Sequence, residues 1–195
     1  EHVQSNVLEI HPWGSTVADL ERPDRLIFDL DPGDEVSWSA MIEAARELKE
    51  RLSALGLQSF VKTTGGKGLH VVVPLLPSLE WEAAKAFTKE LVEKMAADSP
   101  SRYLVNMAKA KRKGRIFLDY LRNGRGQTAV AVFSTRARPG AAVSTPLDWN
   151  ELSEAVKADH FRLDNIVRRL NSLKRDPWEG FFALRQRLPR RGRRK

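Results

Sequence analysis

Two aspartates, Asp29 and Asp31, interrupt an apolar run at residues 25–32, and this placement constrains the chain more than any other feature of its sequence. Side chains alternate between the two faces of a strand, so both carboxylates are predicted to share one face, and the apolar residues between them the other. A buried carboxylate without a partner is costly. The economical explanation is a bound cation held by oxygen ligands.

A third aspartate, Asp119, lies in a similar apolar run at residues 115–121. If a neighbouring strand places it beside Asp29 and Asp31, the three would form a site of oxygen ligands. Such ligands favour Mg²⁺ or Mn²⁺ over zinc, and a pair of these ions is the usual apparatus of phosphoryl or nucleotidyl transfer. The alternative is that Asp29 and Asp31 are solvated acids of an edge strand.

The chain of 195 residues contains no cysteine. This excludes a disulfide framework and any thiolate metal site, and it suits a reducing cytoplasm. No apolar run reaches the length of a membrane span, and the first residues lack a basic segment followed by an apolar one. We expect a cytoplasmic protein with no membrane association.

Basic charge is concentrated in two places. Residues 185–195 hold seven of the 33 Lys and Arg residues and no acid, so residues 1–184 hold 26, against 25 Asp and Glu. We predict a catalytic domain over residues 1–184 and a disordered basic tail over residues 185–195. A second cluster surrounds Asp119: Lys109, Lys111, Arg112, Lys113, Arg115, Arg122 and Arg125. Nucleic-acid backbones are the natural partner of such a patch, and a solvated loop is the alternative.

The periodicity of apolar residues predicts an α/β fold. Strands are expected at residues 26–30, 57–62 and 69–73 and around Asp119, and the second and third of these form a hairpin with a flexible tip. Ser37 or Ser39 is expected to cap a helix that ends near residue 55. Further helices are predicted at residues 79–97, 147–156, 163–173 and 177–188.

The hairpin tip contains Gly65, Gly66 and Gly68 around Lys67. Backbone N–H groups in such a loop can approach a phosphate closely, with the lysine as a point charge. The spacing is not that of a Walker A motif, and a flexible turn explains the glycines equally well. His70 follows directly and is expected to face the same cleft.

Five ordered segments together resemble one known family, the polymerase domain of bacterial ATP-dependent DNA ligase D, within the archaeo-eukaryotic primase superfamily. The segments are Ile10-His11-Pro12-Trp13-Gly14, Phe28-Asp29-Leu30-Asp31-Pro32-Gly33, Thr63-Thr64-Gly65-Gly66-Lys67-Gly68-Leu69-His70, Phe117-Leu118-Asp119-Tyr120-Leu121-Arg122-Asn123 and Ser134-Thr135-Arg136-Ala137-Arg138-Pro139-Gly140. The resemblance implies a primase-like core with a largely antiparallel or mixed sheet flanked by helices.

The resemblance also implies an activity: a nucleotidyltransferase of bacterial non-homologous end joining. It would add nucleotides, with a preference for ribonucleotides, at DNA ends, gaps or primer-template junctions. Its partners would be nucleoside triphosphates, a ligase domain in the parent chain and a DNA-end-binding protein, in a nucleoid-associated location. Two ions, Mn²⁺ or Mg²⁺, would bind Asp29, Asp31 and Asp119. Nucleotide contacts would come from His11 at the sugar and, at the phosphates or primer end, from Thr64, Gly66, Lys67, His70, Arg122 and Arg136.

Two departures from the family pattern stand out. Thr64 replaces the family's usual serine and keeps its hydroxyl. Family domains also extend well before the position of Glu1, with aromatic and basic groups for the template and the 5′-phosphate. We therefore expect nucleotide and metal binding to persist better than recognition of a gap.

Two other functions remain open from the sequence. A phosphatase of the haloacid dehalogenase type would use Asp29 as nucleophile and Asp31 as acid/base, although the later paired acids of that family have no counterpart here. A catalytically silent DNA-end-binding module would keep the basic patch without turnover.

Overall fold

Six strands form one mixed sheet in the computed structural model, which describes residues 5–189. The strands in chain order are β1 (Arg25–Pro32), β2 (Phe60–Thr63), β3 (Leu69–Pro74), β4 (Tyr103–Leu104), β5 (Ile116–Asp119) and β6 (Pro146–Leu147). Their spatial order is β4-β5-β1-β3-β2-β6. The β4–β5 pair is parallel, and every other pair is antiparallel. The predicted mixed α/β fold is confirmed.

The helices are α1 (Trp38–Ala54), α2 (Trp81–Asp98) and the short α3 (Ile166–Ser172), with 3₁₀ turns at Lys109–Lys111 and Leu121–Asn123. Helix α1 begins where Ser37 accepts a hydrogen bond from the N–H of Ala40 at 3.1 Å. This side-chain cap satisfies one of the otherwise unpaired N–H groups of the first turn. Of the two candidate caps, Ser37 is therefore the one used.

Strand β1 is central and contributes to packing on both faces of the sheet. Leu26, Phe28 and Leu30 are buried in the main core, against the apolar faces of the helices. Ile27 points to the opposite face, where it packs in a second, smaller cluster with Phe60. The alternation predicted from the sequence is therefore confirmed.

The second face of the sheet changes character along the strands. At one end it is apolar, because Ile27, Val72 and Phe60 lie in register on β1, β3 and β2. Phe181 and Trp178, from the segment after α3, pack over this end. Two residues further along each strand the same face becomes charged, and the candidate site lies there.

Two predicted helices are wrong. Residues 147–156 form the end of β6 followed by turns, and residues 177–188 form turns without a helix. In both segments a tryptophan anchors irregular chain to the sheet edge: Trp149 Nε1 donates to the Ser59 carbonyl at 2.8 Å, and Trp178 Nε1 to the Val61 carbonyl at 2.9 Å. The apolar residues of these two segments have helix-like spacing, but the segments form turns that pack against the sheet.

The C-terminal segment contacts the body of the domain up to the last described residues. Gln186 donates to the carbonyls of Gln58 and Pro74, each at 3.0 Å. Residues 190–195 of the predicted tail lie outside the described residues, so the disordered tail stays a prediction. Within residues 5–189, no helix has both the length and the apolar character needed to cross a bilayer.

Candidate active site

Four ionisable residues lie side by side across the charged end of the sheet. Lys62 on β2 is opposite His70 on β3, His70 is opposite Asp29 on β1, and Asp29 is opposite Asp119 on β5. All four are less than a tenth exposed. The row therefore runs from a lysine through a histidine to two adjacent carboxylates across four neighbouring strands.

Arg122 lies between the two facing carboxylates. Its Nε is 3.2 Å from Oδ2 of Asp29 and 3.4 Å from Oδ2 of Asp119. On the other side of Asp29, Nε2 of His70 lies 3.4 Å from Oδ1. Burial opposes ionisation of Asp29, but His70 and Arg122 outweigh it and hold the pKa of this carboxyl below its ordinary value. Burial and the nearby Asp29 charge raise the pKa of Asp119.

Asp31, two residues along β1, points to the same side and is the most exposed of the three acids. Burial and the charge of Asp29 raise its pKa to about 6. Its nearest cationic group is Arg112, whose guanidinium lies 3.7 Å from Oδ2. Arg112 was assigned from the sequence only to the basic cluster, since its distance from Asp31 in the chain hides their contact.

The glycine-rich loop between β2 and β3 is organised by the hydroxyl of Thr64. The Thr64 hydroxyl accepts from the N–H groups of Gly66 and Gly68 at 3.2 and 3.3 Å and donates to the Gly68 carbonyl at 3.0 Å. The Thr64 hydroxyl thus closes the loop onto itself. Lys67, from the same loop, lines the cleft over the acids.

Gly68 is required by a close approach of two backbones. A Cβ at this position would lie 2.2 Å from the carbonyl oxygen of Leu30, which belongs to β1. Gly65 has a φ of +65°, a conformation that L side chains rarely adopt. The two glycines therefore let the loop turn sharply beside the strand that carries Asp29 and Asp31.

One cleft of about 580 Å³ opens over these groups. Nine of the ten site residues predicted from the sequence line it: His11, Asp29, Asp31, Thr64, Gly66, Lys67, His70, Arg122 and Arg136. Asp119 is not among the lining residues and lies beside Asp29 at the cleft floor. Lys109, Arg112, Arg138 and the backbone of residues 128–130 complete the walls, and none of these was predicted as a site residue.

The three carboxylates are of the ligand type that divalent cations prefer, but their side chains are not close enough together to bind one ion. Asp29, Asp31 and Asp119 supply the carboxylate oxygens that Mg²⁺ and Mn²⁺ prefer. Among residues 5–189, however, no three His, Cys, Asp or Glu side chains are grouped closely enough to hold one ion. Arg122 provides the positive charge between Asp29 and Asp119, so a cation at that point would take over its role.

Residues 1–178 match the family described as the LigD primase-polymerase domain. The chain belongs to this family. The resemblance predicted from five sequence segments is therefore confirmed, and the LigD polymerase fold accounts for the mixed sheet.

Curated LigD relatives align with most of this chain. The multifunctional non-homologous end joining protein LigD of Pseudomonas aeruginosa is 40% identical over 187 residues, which are 95% of this chain and 22% of that protein. The LigD protein of Mycolicibacterium smegmatis, with the same description, is 31% identical over 86% of this chain and 22% of its own length. This chain thus spans less than a quarter of these two LigD proteins.

A solved structure shows the same fold. The polymerase domain of Mycobacterium tuberculosis ligase D, in complex with DNA, superimposes with a TM-score of 0.85 at 28% identity, over 95% of this chain and 67% of that domain. The LigD polymerase architecture is therefore shared across nearly the full length of the chain.

Proposed function

We propose that this domain is a metal-dependent nucleotidyltransferase that adds nucleotides, preferentially ribonucleotides, to DNA 3′ ends during bacterial non-homologous end joining. The observation that carries the proposal is the cleft itself, where Asp29 and Asp31 on β1 share the lining with a lysine-bearing glycine loop and several arginines, and Asp119 on β5 lies opposite Asp29. Bound Mg²⁺ or Mn²⁺ ions would activate the attacking hydroxyl and neutralise charge on the triphosphate. Asp29, Asp31 and Asp119 would hold them.

The remaining residues would orient and stabilise the nucleotide. Lys67 and His70 line the cleft within and just after the loop that Thr64 closes, and they would contact the phosphates. Arg136 reaches the same loop, since its Nη1 donates to the Thr64 carbonyl at 2.8 Å. These fixed donors suit the charge that develops on a triphosphate during transfer. His11, which also lines the cleft, is assigned to the sugar.

The basic cluster provides a surface for a DNA backbone at the cleft mouth. Two backbone hydrogen bonds hold its loop against the end of β1: Gly33 N–H to the Arg115 carbonyl at 2.9 Å and Gly114 N–H to the Asp34 carbonyl at 2.7 Å. Lys109 and Arg112 from this loop line the cleft. Phosphate contacts at this position would bring a primer end to the acids.

Family membership favours this function over the phosphatase. A DNA-end-binding module without turnover remains the second candidate, because Arg122 already neutralises the two facing acids. In the parent protein we propose that the domain acts beside a ligase domain and a DNA-end-binding partner.

Primer extension on a gapped duplex tests the proposal. The reaction is run with Mn²⁺, Mg²⁺ or a chelator, and with ribonucleotides or deoxynucleotides at equal concentration. We expect incorporation with either metal, more with ribonucleotides, and none with chelator. Incorporation that survives chelation would contradict the metal-dependent mechanism, and DNA binding without any incorporation would support the silent module.

A further inference from the structure

A single carboxylate outside the predicted site links two of its members. Glu9 lies two residues before His11, and its Oε2 is 2.8 Å from Nε2 of His11. The same oxygen is 3.2 Å from Nε of Arg136. Its other oxygen accepts from the N–H of Ala137 at 2.7 Å. Residues more than 120 positions apart in the chain therefore meet at Glu9.

The contact with Glu9 fixes which ring nitrogen of His11 carries the proton. An ionised carboxylate only accepts hydrogen bonds, so Nε2 of His11 must be the donor. In a neutral ring Nδ1 is then left as an acceptor for a ligand. The His11 contact, followed by the Ala137 N–H and Arg136, lowers the pKa of Glu9 to about 2, so Glu9 stays ionised at neutral pH.

Arg136 is held between Glu9 and the glycine-rich loop. Its guanidinium donates to the Thr64 carbonyl from one side and faces the Glu9 carboxylate from the other. Its side chain is only 15% exposed. A Cβ on Gly65 would lie 2.9 Å from its Cγ, so the loop packs directly against the arginine stem. Arg136 therefore has little freedom once both contacts are made.

We propose that Glu9 is a positioning residue that sets His11 and Arg136 together for nucleotide binding. This inference rests on the proposed function, in which His11 serves the sugar and Arg136 the triphosphate. Because one carboxylate orients both, the two subsites are coupled: loss of Glu9 disturbs sugar and phosphate recognition at once. Glu9 itself touches neither the reacting atoms nor the metal ligands.

The segment that carries Glu9 does not depend on it for its place. The N–H of Ile10 donates to the Ser134 hydroxyl at 2.8 Å, and the Ile10 carbonyl accepts from Ala131 at 2.9 Å. The Pro12 carbonyl accepts from the N–H of Ala129 at 3.3 Å. None of these three contacts involves the Glu9 side chain, so a substitution there is expected to test positioning rather than folding.

The test compares Glu9→Ala and Glu9→Gln with the wild-type domain in gap filling. We expect Glu9→Ala to raise the nucleotide KM about tenfold while kcat changes less than about threefold, since only binding groups are disturbed. Glu9→Gln keeps one carbonyl acceptor but loses the charge opposite Arg136, so its KM should lie between those of the other two forms. Melting temperatures should agree within about 2 °C, because the contacts of Glu9 are partly exposed.

Double variants separate positioning from a general loss of binding. If Glu9 acts through His11 and Arg136, its effect on KM must shrink in the His11→Ala and Arg136→Ala backgrounds. Loss of His11 orientation should also lower the ratio of ribonucleotide to deoxynucleotide kcat/KM in Glu9→Ala. Glu43→Ala, which removes an exposed carboxylate paired with Arg102 at 2.9 Å outside the cleft, is the matched control.

Calorimetric measurement of ATP affinity with Mn²⁺, on the same variants, tests the role of Glu9 without requiring turnover. A wild-type domain without incorporation would overturn the proposed function, whereas weaker ATP binding in Glu9→Ala would still support the role of Glu9. Unchanged KM and unchanged ATP affinity in Glu9→Ala, or effects that multiply fully with His11→Ala, would overturn the inference alone.

Discussion

Asp29 and Asp119 lie directly opposite each other on the antiparallel strands β1 and β5, with the guanidinium of Arg122 in contact with both. Like charges at such a pair repel unless a cation is shared between them. The domain supplies that cation from its own chain, three residues after the end of β5, in the 3₁₀ turn Leu121–Asn123. This arrangement explains how two buried acids persist side by side, and it leads to the first two predictions.

Asp29→Asn is expected to reduce nucleotide incorporation by at least about 100-fold, because it removes a charge on which alignment and stabilisation of the transferring group depend. The amide is close in size to the carboxyl, so the fold should be kept. The measurement is single-turnover primer extension with Mn²⁺, together with a melting curve. Asp98→Asn, at the exposed end of α2, is the control and should keep full activity. Equal activity in the two variants would show that Asp29 is not a catalytic residue.

Arg122→Ala is expected to destabilise the metal-free domain and to make it more responsive to divalent cations. Two buried carboxylates lose their shared counter-charge, at a cost of roughly 1–2 kcal/mol after allowance for the partial exposure of the arginine. A cation that replaces it would stabilise the variant by mass action. Thermal melting with increasing Mn²⁺ should show a larger upward shift for Arg122→Ala than for wild type. Identical shifts would mean that the ion does not bind between these two acids.

Asn123 joins β1 to the turn that carries Arg122. Its Oδ1 accepts from the N–H of Ile27 at 2.8 Å, and its Nδ2 donates to the carbonyls of Ile27 and Tyr120 at 2.8 and 2.9 Å. Asn123→Ala leaves these buried groups without partners and should lower the free energy of unfolding by about 2–4 kcal/mol. Asn106→Ala, which removes one exposed contact, should cost less than about 0.5 kcal/mol. Urea unfolding of both variants checks this difference, and equal losses would contradict it.

Lys62 should make the free energy of unfolding increase with pH above about pH 7. Burial lowers its pKa to about 7, while in the unfolded chain a lysine titrates near pH 10.5. Between these values the unfolded state binds a proton that the folded state does not, so the free energy of unfolding rises with pH, by up to about 1.4 kcal/mol per unit. Below pH 7 both states are protonated and this contribution to the slope vanishes.

Lys62→Met removes that slope. Urea unfolding at pH 7, 8 and 9 should therefore show wild type gaining stability relative to the variant as the pH rises. Lys89→Met, at an exposed position of α2, should leave the slope unchanged. A constant difference between wild type and Lys62→Met would show that Lys62 is protonated in the fold, held by its bonds to the Val130 carbonyl and the Ser144 hydroxyl.

Local patterns predicted the parts of the fold that neighbouring residues determine. Helix α1 follows from its Ser37 cap and apolar spacing, and the β2–β3 hairpin from β-branched residues around a glycine turn. The helices expected at residues 147–156 and 177–188 were wrong, because Trp149 and Trp178 donate to the carbonyls of Ser59 and Val61, just before and within β2, which are far away in the chain. The two-residue strands β4 and β6 were missed, since they are defined only by their partners.

The candidate site shows the same division. Asp29, Asp31 and Asp119 could be predicted from the sequence, because a carboxylate within an apolar strand is costly to bury unless it has a partner. The position of Arg122 between two of them could not be read from the chain, where it was one of seven basic residues in a cluster. Glu9 carried one usable signal, its place two residues before His11 in extended chain, which puts both side chains on one side.

The alternation along β1 also determines which changes of length the domain can accept. A single inserted or deleted residue within Arg25–Pro32 would exchange the two faces of everything beyond it, sending carboxylates into the core and leucines into the cleft. Folding and chemistry would fail together. Insertions and deletions among family members should therefore be confined to the connections, such as residues 33–37, while β1 varies by substitution alone.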